Sequence, residues 1–361
     1  MKKRFKDREP KSAADLSGKA ESEKEELKKR SGVVTSRWLL RIKALFLGLL
    51  VIYISVPFVL YCCPWMLGHV IYCHSIRIPF FVDLSRPEDL ALNHTVNFYL
   101  TPEEGVTVGV WQTVPDSQWY NAQGKDLGWY KEALKDGTPA IIYLHGNLGN
   151  RWECFIPSLM CLFQVLSAAE FNVLAVDYRG YGDSTGQPTE AGMTADAVHL
   201  YHWVKEYSGS SPVCLWGHSL GSGVATNAAL KLQSDGFPVD CVILEAPFTN
   251  IYDITAAHPI YWLFPGYEMF IHYVVTLNNM VFANDKNLKA LRSHLLLLHA
   301  EDDNIVPFYM GQKLYQIAKD TKNKQVSMET YSRSLGFSHN GIYKDPQLSR
   351  KIWRFLRLLQ K

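Results

Sequence analysis

Gly217-His218-Ser219-Leu220-Gly221 lies between an apolar run, Val213-Cys214-Leu215-Trp216, and a small-residue stretch from Ser222 to Leu230. A strand that breaks sharply into a helix holds such a serine in a strained backbone conformation at the carboxyl end of a sheet. The flanking glycines leave room for the bend. Ser219 is thereby exposed and aimed as a nucleophile, and the chemistry it suits is acyl transfer. The amide of Leu220, first in the helix, faces any oxyanion formed there, aided by the helix dipole. A glycine-rich turn with an ordinary cap serine is the bland alternative, and only partners elsewhere in the chain argue against it.

A neutral serine needs a base to take its proton and a third group to orient that base. His339 follows the last predicted strand and precedes the last predicted helix, a placement that sets it apart among the 12 histidines. His145, His218 and His299 read instead as orienting or packing residues inside their motifs. The acid comes from Glu301-Asp302-Asp303, directly after a buried apolar run. Asp303 is the candidate, Asp302 its adjacent rival, and a solvated acidic loop the alternative. Asn147, after His145-Gly146, supplies a second oxyanion amide unless it marks only a turn. Such chemistry calls for no metal and no organic cofactor.

Those groups must be carried by strand ends. Continuous apolar runs at 140–144, 172–176, 213–216, 241–245 and 294–299 predict strands buried on both faces of a parallel sheet. A further strand is predicted at 325–329, and helices over 152–169, 189–207, 307–318 and 345–359 alternate with the strands. Runs 95–100 and 106–113 alternate apolar and polar residues, as half-buried antiparallel strands do. The stretch 115–137 reads as a polar excursion. The fold class is therefore α/β, a mostly parallel, doubly wound sheet with helices on both faces and the loops that carry chemistry at the strands' carboxyl ends. Residues 257–284 are longer and more aromatic than a connection requires; they predict an apolar cap suited to an acyl chain, with an extra core helix as the alternative.

The 361 residues suit one large domain with appendages, and 47% hydrophobic content is ample for a core. With 37 basic and 35 acidic residues the net charge is +2, which gives no footing for nucleic acid. The seven cysteines show neither metal-ligand spacing nor C-x-x-C, and their pairing stays open. Residues 1–43 predict a disordered basic tail, in which 20–30 form at most a transient charged helix. No charge interrupts 44–66, a transmembrane helix candidate. A cleaved signal peptide is the rival, but the run is long, deep in the chain and lacks a small-residue cleavage site. Lys28, Lys29, Arg30, Arg37, Arg41 and Lys43 precede the span without an acid among them, which places the N-terminus in the cytosol and residues 67–361 across the membrane. Asn93-His94-Thr95 there is a glycosylation sequon.

The elbow, His145-Gly146-Asn147, Asp177-Tyr178-Arg179-Gly180, Phe248-Thr249-Asn250 and His299-Ala300-Glu301-Asp302-Asp303, with the apolar span before them, resemble the α/β-hydrolase domain-containing protein 12 group. The likeness runs from about residue 38 to the end. It implies the α/β-hydrolase fold, a triad of Ser219, Asp303 and His339 in that chain order, and the family spacing Asp-x-x-Val-Pro, which favours Asp303 over Asp302. It further implies a single-pass serine hydrolase of the endoplasmic reticulum membrane, of the monoacylglycerol and lysophosphatidylserine lipase type, with a lumenal catalytic domain. The expectation is a serine esterase of single-chain lipids whose partners are its lipid substrate and the membrane. Oligomeric state stays open. An acyl-protein thioesterase uses the same machinery, and a catalytically silent lumenal binding protein would keep the fold without needing all three triad residues.

Overall fold

The computed structural model describes residues 13–63, 65–74, 82–147, 149, 151, 162–257, 267–321 and 325–359. The chain divides into two units, residues 1–63 and 64–361. The first contains one helix, α1 (Ala13–Cys62). Its 26-residue part Arg37–Cys62 is long and apolar enough to cross a membrane. It closes at Cys62, just ahead of Pro64, whose ring disfavours helical geometry in the residue before it. The helix therefore ends four residues before 66, the predicted end of the candidate span. Residues 13–43, predicted as a disordered tail, are helical. The segment is rich in Ala, Glu, Lys and Arg, strong helix formers, and Glu25 with Lys29 stands at i,i+4, so local propensity favours the helix.

The second unit opens with α2 (Met66–Tyr72) and is built on eight strands: β1 (Thr95–Glu103), β2 (Val106–Thr113), β3 (Ala140–Leu144), β4 (Asn172–Val176), β5 (Val213–His218), β6 (Cys241–Glu245), β7 (His294–Ala300) and β8 (Val326–Tyr331). Their order is β1-β2-β4-β3-β5-β6-β7-β8. β2 is antiparallel to β1 and to β4; every pair from β4 to β8 is parallel. The order reverses around β3 and β5, and a crevice for ligands opens beyond the carboxyl ends of strands at such a reversal.

Between the strands lie α3 (Trp119–Ala122), α4 (Leu127–Ala133), α5 (Leu162–Ala168), α6 (Glu190–Ser208), α7 (Leu220–Ser234), α8 (Ile251–Ala256), α9 (Tyr267–Leu277), α10 (Asn284–Ala290) and α11 (Phe308–Lys319), and α12 (Leu348–Leu359) follows β8. On one face Ile141, Tyr143, Trp216, Ile243 and Leu296 pack with Phe163 of α5 and Ile352 and Phe355 of α12. Their sequence neighbours Ile142, Leu215 and Val242 are buried towards the other face, where α6 and α7 pack together.

Several details depart from the sequence reading. β2 is buried along nearly its whole length, because it is an interior strand and not a half-exposed one. Of the helix predicted over 152–169, only α5 falls among the described residues. The excursion 115–137 folds back as α3 and α4, with Val114, Ala122 and Tyr130 in a small satellite core. α8 and α10 were not foreseen. The predicted cap contains α9, while 258–266 lie outside the described residues. Cys214 and Cys241, register partners on β5 and β6, form a disulfide.

Candidate active site

Ser219 follows β5 with φ 51° and ψ −116°, a conformation that L side chains rarely adopt. The surroundings impose it. A Cβ at Gly217 would collide with the carbonyl of Gly221, and one at Gly221 would collide with the carbonyl of Leu144 on β3. The amide of Ser219 donates to the Glu245 carbonyl at 2.9 Å, tying the elbow to β6. Its hydroxyl makes no capping bond to α7. Leu220 begins α7, where an amide has no acceptor within the helix. Gly146 approaches so closely that a Cβ there would sit 3.3 Å from the Ser219 Cβ, which brings the loop of Asn147 against the elbow. Asn147 itself is exposed.

Asp303 and His339 meet at the ends of β7 and β8, with His339 Nδ1 donating to Asp303 Oδ2 at 2.8 Å. The other carboxylate oxygen accepts from the amides of Ile305 at 2.9 Å and Val306 at 2.8 Å. His299 Nε2 donates to the Val306 carbonyl at 3.1 Å and stands 3.4 Å from Asp303 Oδ2. Burial alone would push the Asp303 carboxyl up. The hydrogen bonds from His299 and His339, with the Ile305 amide, outweigh it and hold the group well below the ordinary carboxylate range. With its Nδ1 proton committed to Asp303, the imidazole keeps Nε2 as its basic nitrogen. Asp302 plays a different part: its Oδ2 accepts from the Ser338 amide at 3.0 Å. It thus clamps the loop before His339, where Ser338 has φ 50°.

Ser219 reaches the Asp303–His339 pair through its neighbours. His218 Nε2 donates to the His339 carbonyl at 3.1 Å, and the two rings lie 4.9 Å apart. Among the described residues no direct hydrogen bond joins the Ser219 hydroxyl to His339; such bonds are often long without substrate and tighten when it binds. His145 donates from Nδ1 to its neighbour's carbonyl, that of Gly146, at 2.8 Å, and burial holds its pKa down at about 4. Among the described residues no three His, Cys, Asp or Glu side chains converge on a metal position. A groove of about 1000 Å³ lined by α6 and α7 residues includes none of these groups in its walls.

One buried residue escaped the sequence reading. Arg151 is fully buried at the end of the Asn147 loop and pairs with Asp177 and Asp183, each at 2.7 Å, while Tyr178 donates its hydroxyl to the His145 carbonyl at 3.1 Å. Burial pushes the Asp177 carboxyl up to about 6 despite the facing guanidinium. The Asp-Tyr-Arg-Gly motif therefore holds the loop that carries Asn147. Arg151 has no local signal, since its partners lie 26 and 32 residues away.

Residues 139–267 match the α/β-hydrolase fold family. Lysophosphatidylserine lipase ABHD12 of Rattus norvegicus is 44% identical over 96% of this chain and 86% of its own length. The Xenopus tropicalis protein of that name is 45% identical over 88% of this chain and 83% of its own. The chain belongs to the ABHD12 family of α/β-hydrolases. Human ABHD12B, in the same family, is 46% identical over 81% of this chain and 80% of its own. Outside the ABHD12 family the fold recurs in the Pyrococcus furiosus esterase Pf2001, with TM-score 0.56 at 19% identity over 78% of this chain and 97% of that one. A Vibrio vulnificus α/β-hydrolase likewise has TM-score 0.56, at 18% identity over 80% and 92% of the two chains.

Proposed function

We propose that the chain is a membrane-anchored serine hydrolase that cleaves acyl esters of single-chain lipids, monoacylglycerols and lysophospholipids such as lysophosphatidylserine. The observation that carries the reading is the 2.8 Å bond between His339 Nδ1 and Asp303 beside a serine held at φ 51°. The names of the ABHD12 relatives support the substrate class.

Ser219 Oγ attacks the ester carbonyl as its proton passes to His339 Nε2. The negative charge that develops on the carbonyl oxygen is held by the amides of Leu220 and Asn147, and Asp303 steadies the imidazolium. Collapse expels the alcohol, here the glycerol or glycerophospho headgroup, which takes the proton from His339. Water, deprotonated by the same imidazole, then releases the fatty acid and restores Ser219. Purified protein should hydrolyse lysophosphatidylserine or monoacylglycerol and react with a fluorophosphonate at Ser219; a chain that does neither is not this enzyme.

The N-terminus lies in the cytosol and the catalytic domain in the lumen of the endoplasmic reticulum. The basic flank of the span, the exposed side chain of Asn93 and a disulfide of the kind that persists in oxidising compartments support this orientation. Glycosidase treatment should shift the wild type and leave Asn93→Gln unmoved. Digestion of the catalytic domain by protease in sealed microsomes would reverse the topology.

A further inference from the structure

The hydrolase reading uses neither α2 nor the outer face of α9. α2 contains no charged Asp, Glu, Lys or Arg, and Trp65 just before it and Val70 within it are 61% and 64% exposed. Its other side is packed. Tyr72 is buried, its carbonyl accepts from the Tyr181 hydroxyl at 2.7 Å, and its ring meets Phe282 edge-on at 6.4 Å. A Cβ at Gly68 would sit 3.8 Å from the sulfur of Met280.

Met280 is the third residue after α9 ends at Leu277, so the carboxyl end of α9 and α2 share one neighbourhood. α9 has two faces. Ile271, Val274 and Val275 are buried, whereas Met269, 80% exposed, Tyr273 and Leu277 stand outward with His272 and Thr276. Glu268, in the first turn, is its sole acid, and it carries no Lys or Arg. Apolar surface left in water costs roughly 0.8 kcal/mol per methylene, and a contiguous patch of it marks a contact surface.

The occupant follows from the chain itself. Trp65 is the third residue after Cys62, where the membrane-spanning helix ends, and three residues reach at most about 11 Å. We infer that α2 and the outer face of α9 form one lipid-facing surface lying in the interface of the bilayer that α1 crosses. The inference rests on the membrane-anchored reading above. Trp65 and Tyr273 are the amphipathic rings that settle at headgroup depth, and Val70, Met269 and Leu277 reach below them. This surface is joined to the nucleophile. Phe282 packs on α7 at Gly223, where a Cβ would meet its ring at 2.6 Å, four residues after Ser219.

The test uses the full chain in phosphatidylcholine vesicles containing a lipid with a photoactivatable diazirine in its acyl chain, with adducts mapped by peptide mass spectrometry. Adducts are expected in α1, in residues 65–70 and in residues 269–277, and not in α3 and α4, whose Tyr120 is 83% exposed and serves as control. Labelling of 269–277 no stronger than the control, or cross-links there between copies of the chain, overturns the surface. Absence of adducts in α1 overturns the span and the inference with it. Because photolabelling requires no turnover, a failed hydrolase reading is distinguished from a failed surface. Val70→Glu and Leu277→Glu should each slow hydrolysis of vesicle-borne lysolipid about tenfold, the effect of roughly 1.4 kcal/mol for a charge at the interface. Hydrolysis of water-soluble p-nitrophenyl acetate by the same vesicles should hold within about twofold on that scale; equal losses on both substrates overturn the docking role.

Discussion

The rim of strand ends and the surface formed by α2 and α9 are held by opposite means. At the rim, Ser219, Ala246 and Ser338 all have φ near +50°, and hydrogen bonds hold the Ser219 backbone, Asp303 and His339. On α9 the inner face of Ile271, Val274 and Val275 is buried, while Met269, Tyr273 and Leu277 on the outer face are exposed. Acyl transfer needs groups placed to a fraction of an ångström, which strain and redundancy secure. A lipid contact needs area more than placement, which exposed apolar side chains supply. Changes at the rim should therefore act on chemistry or folding, and changes on the helices on substrate choice and delivery.

The sharpest way to break this contrast is at the triad. Ser219→Ala and His339→Ala should each lower ester hydrolysis by about a thousandfold or more while the circular dichroism spectrum holds, because triad members act as a unit. Asp303→Asn belongs in the same range. Asp302→Asn, which loosens only the Ser338 amide, should cost about tenfold or less on the scale of one hydrogen bond. If the Asp302 variant is dead and the Asp303 variant active, the acid is misassigned.

Next comes the strain itself. Gly221→Ala forces a methyl into the Leu144 carbonyl, so chemical denaturation should reveal a loss of about 3 kcal/mol, at the upper end for overpacking. A variant as stable as the wild type would mean that the elbow is free to relax.

Smaller effects are expected from the cap. Phe270→Ala and Trp262→Ala should shift the ratio of long-chain to short-chain ester turnover by a few-fold, since each methylene buried is worth about 0.8 kcal/mol, with fluorophosphonate labelling of Ser219 retained. An unchanged profile in both would leave this stretch to packing or membrane contact.

A further effect is on stability against pH. Burial lowers the folded pKa of His145 to about 4, so between about 6.5 and 4 the unfolded chain binds more protons there than the folded one. Stability from this group is therefore fully present above 6.5 and falls as pH drops through that window. Asp303, held low in the fold, adds a further loss below about 3.9. The melting temperature of His145→Gln should decline less than that of the wild type between pH 7 and 4.5; parallel curves would exclude a neutral buried His145.

The sequence alone determined the sheet's central strands and the elbow, because both are written in neighbouring residues. Five apolar residues in a row at 140–144 leave no polar face, and two glycines around Ser219 permit one bend. It determined α1 less well at its start: the absence of burial pointed to disorder, while helix propensity, which needs no partner, carried the helix to Ala13. What it left to the tertiary structure were groups whose partners are distant in the chain. Asp302 and Asp303 are adjacent in sequence, and only the return of the chain after β8 gives one a histidine and the other a backbone amide. Arg151, α10 and the Cys214–Cys241 bond became legible in the same way, once the sheet had brought their partners together. A side chain's type limits the bonds it can make, but which bond forms depends on long-range geometry that no local pattern encodes.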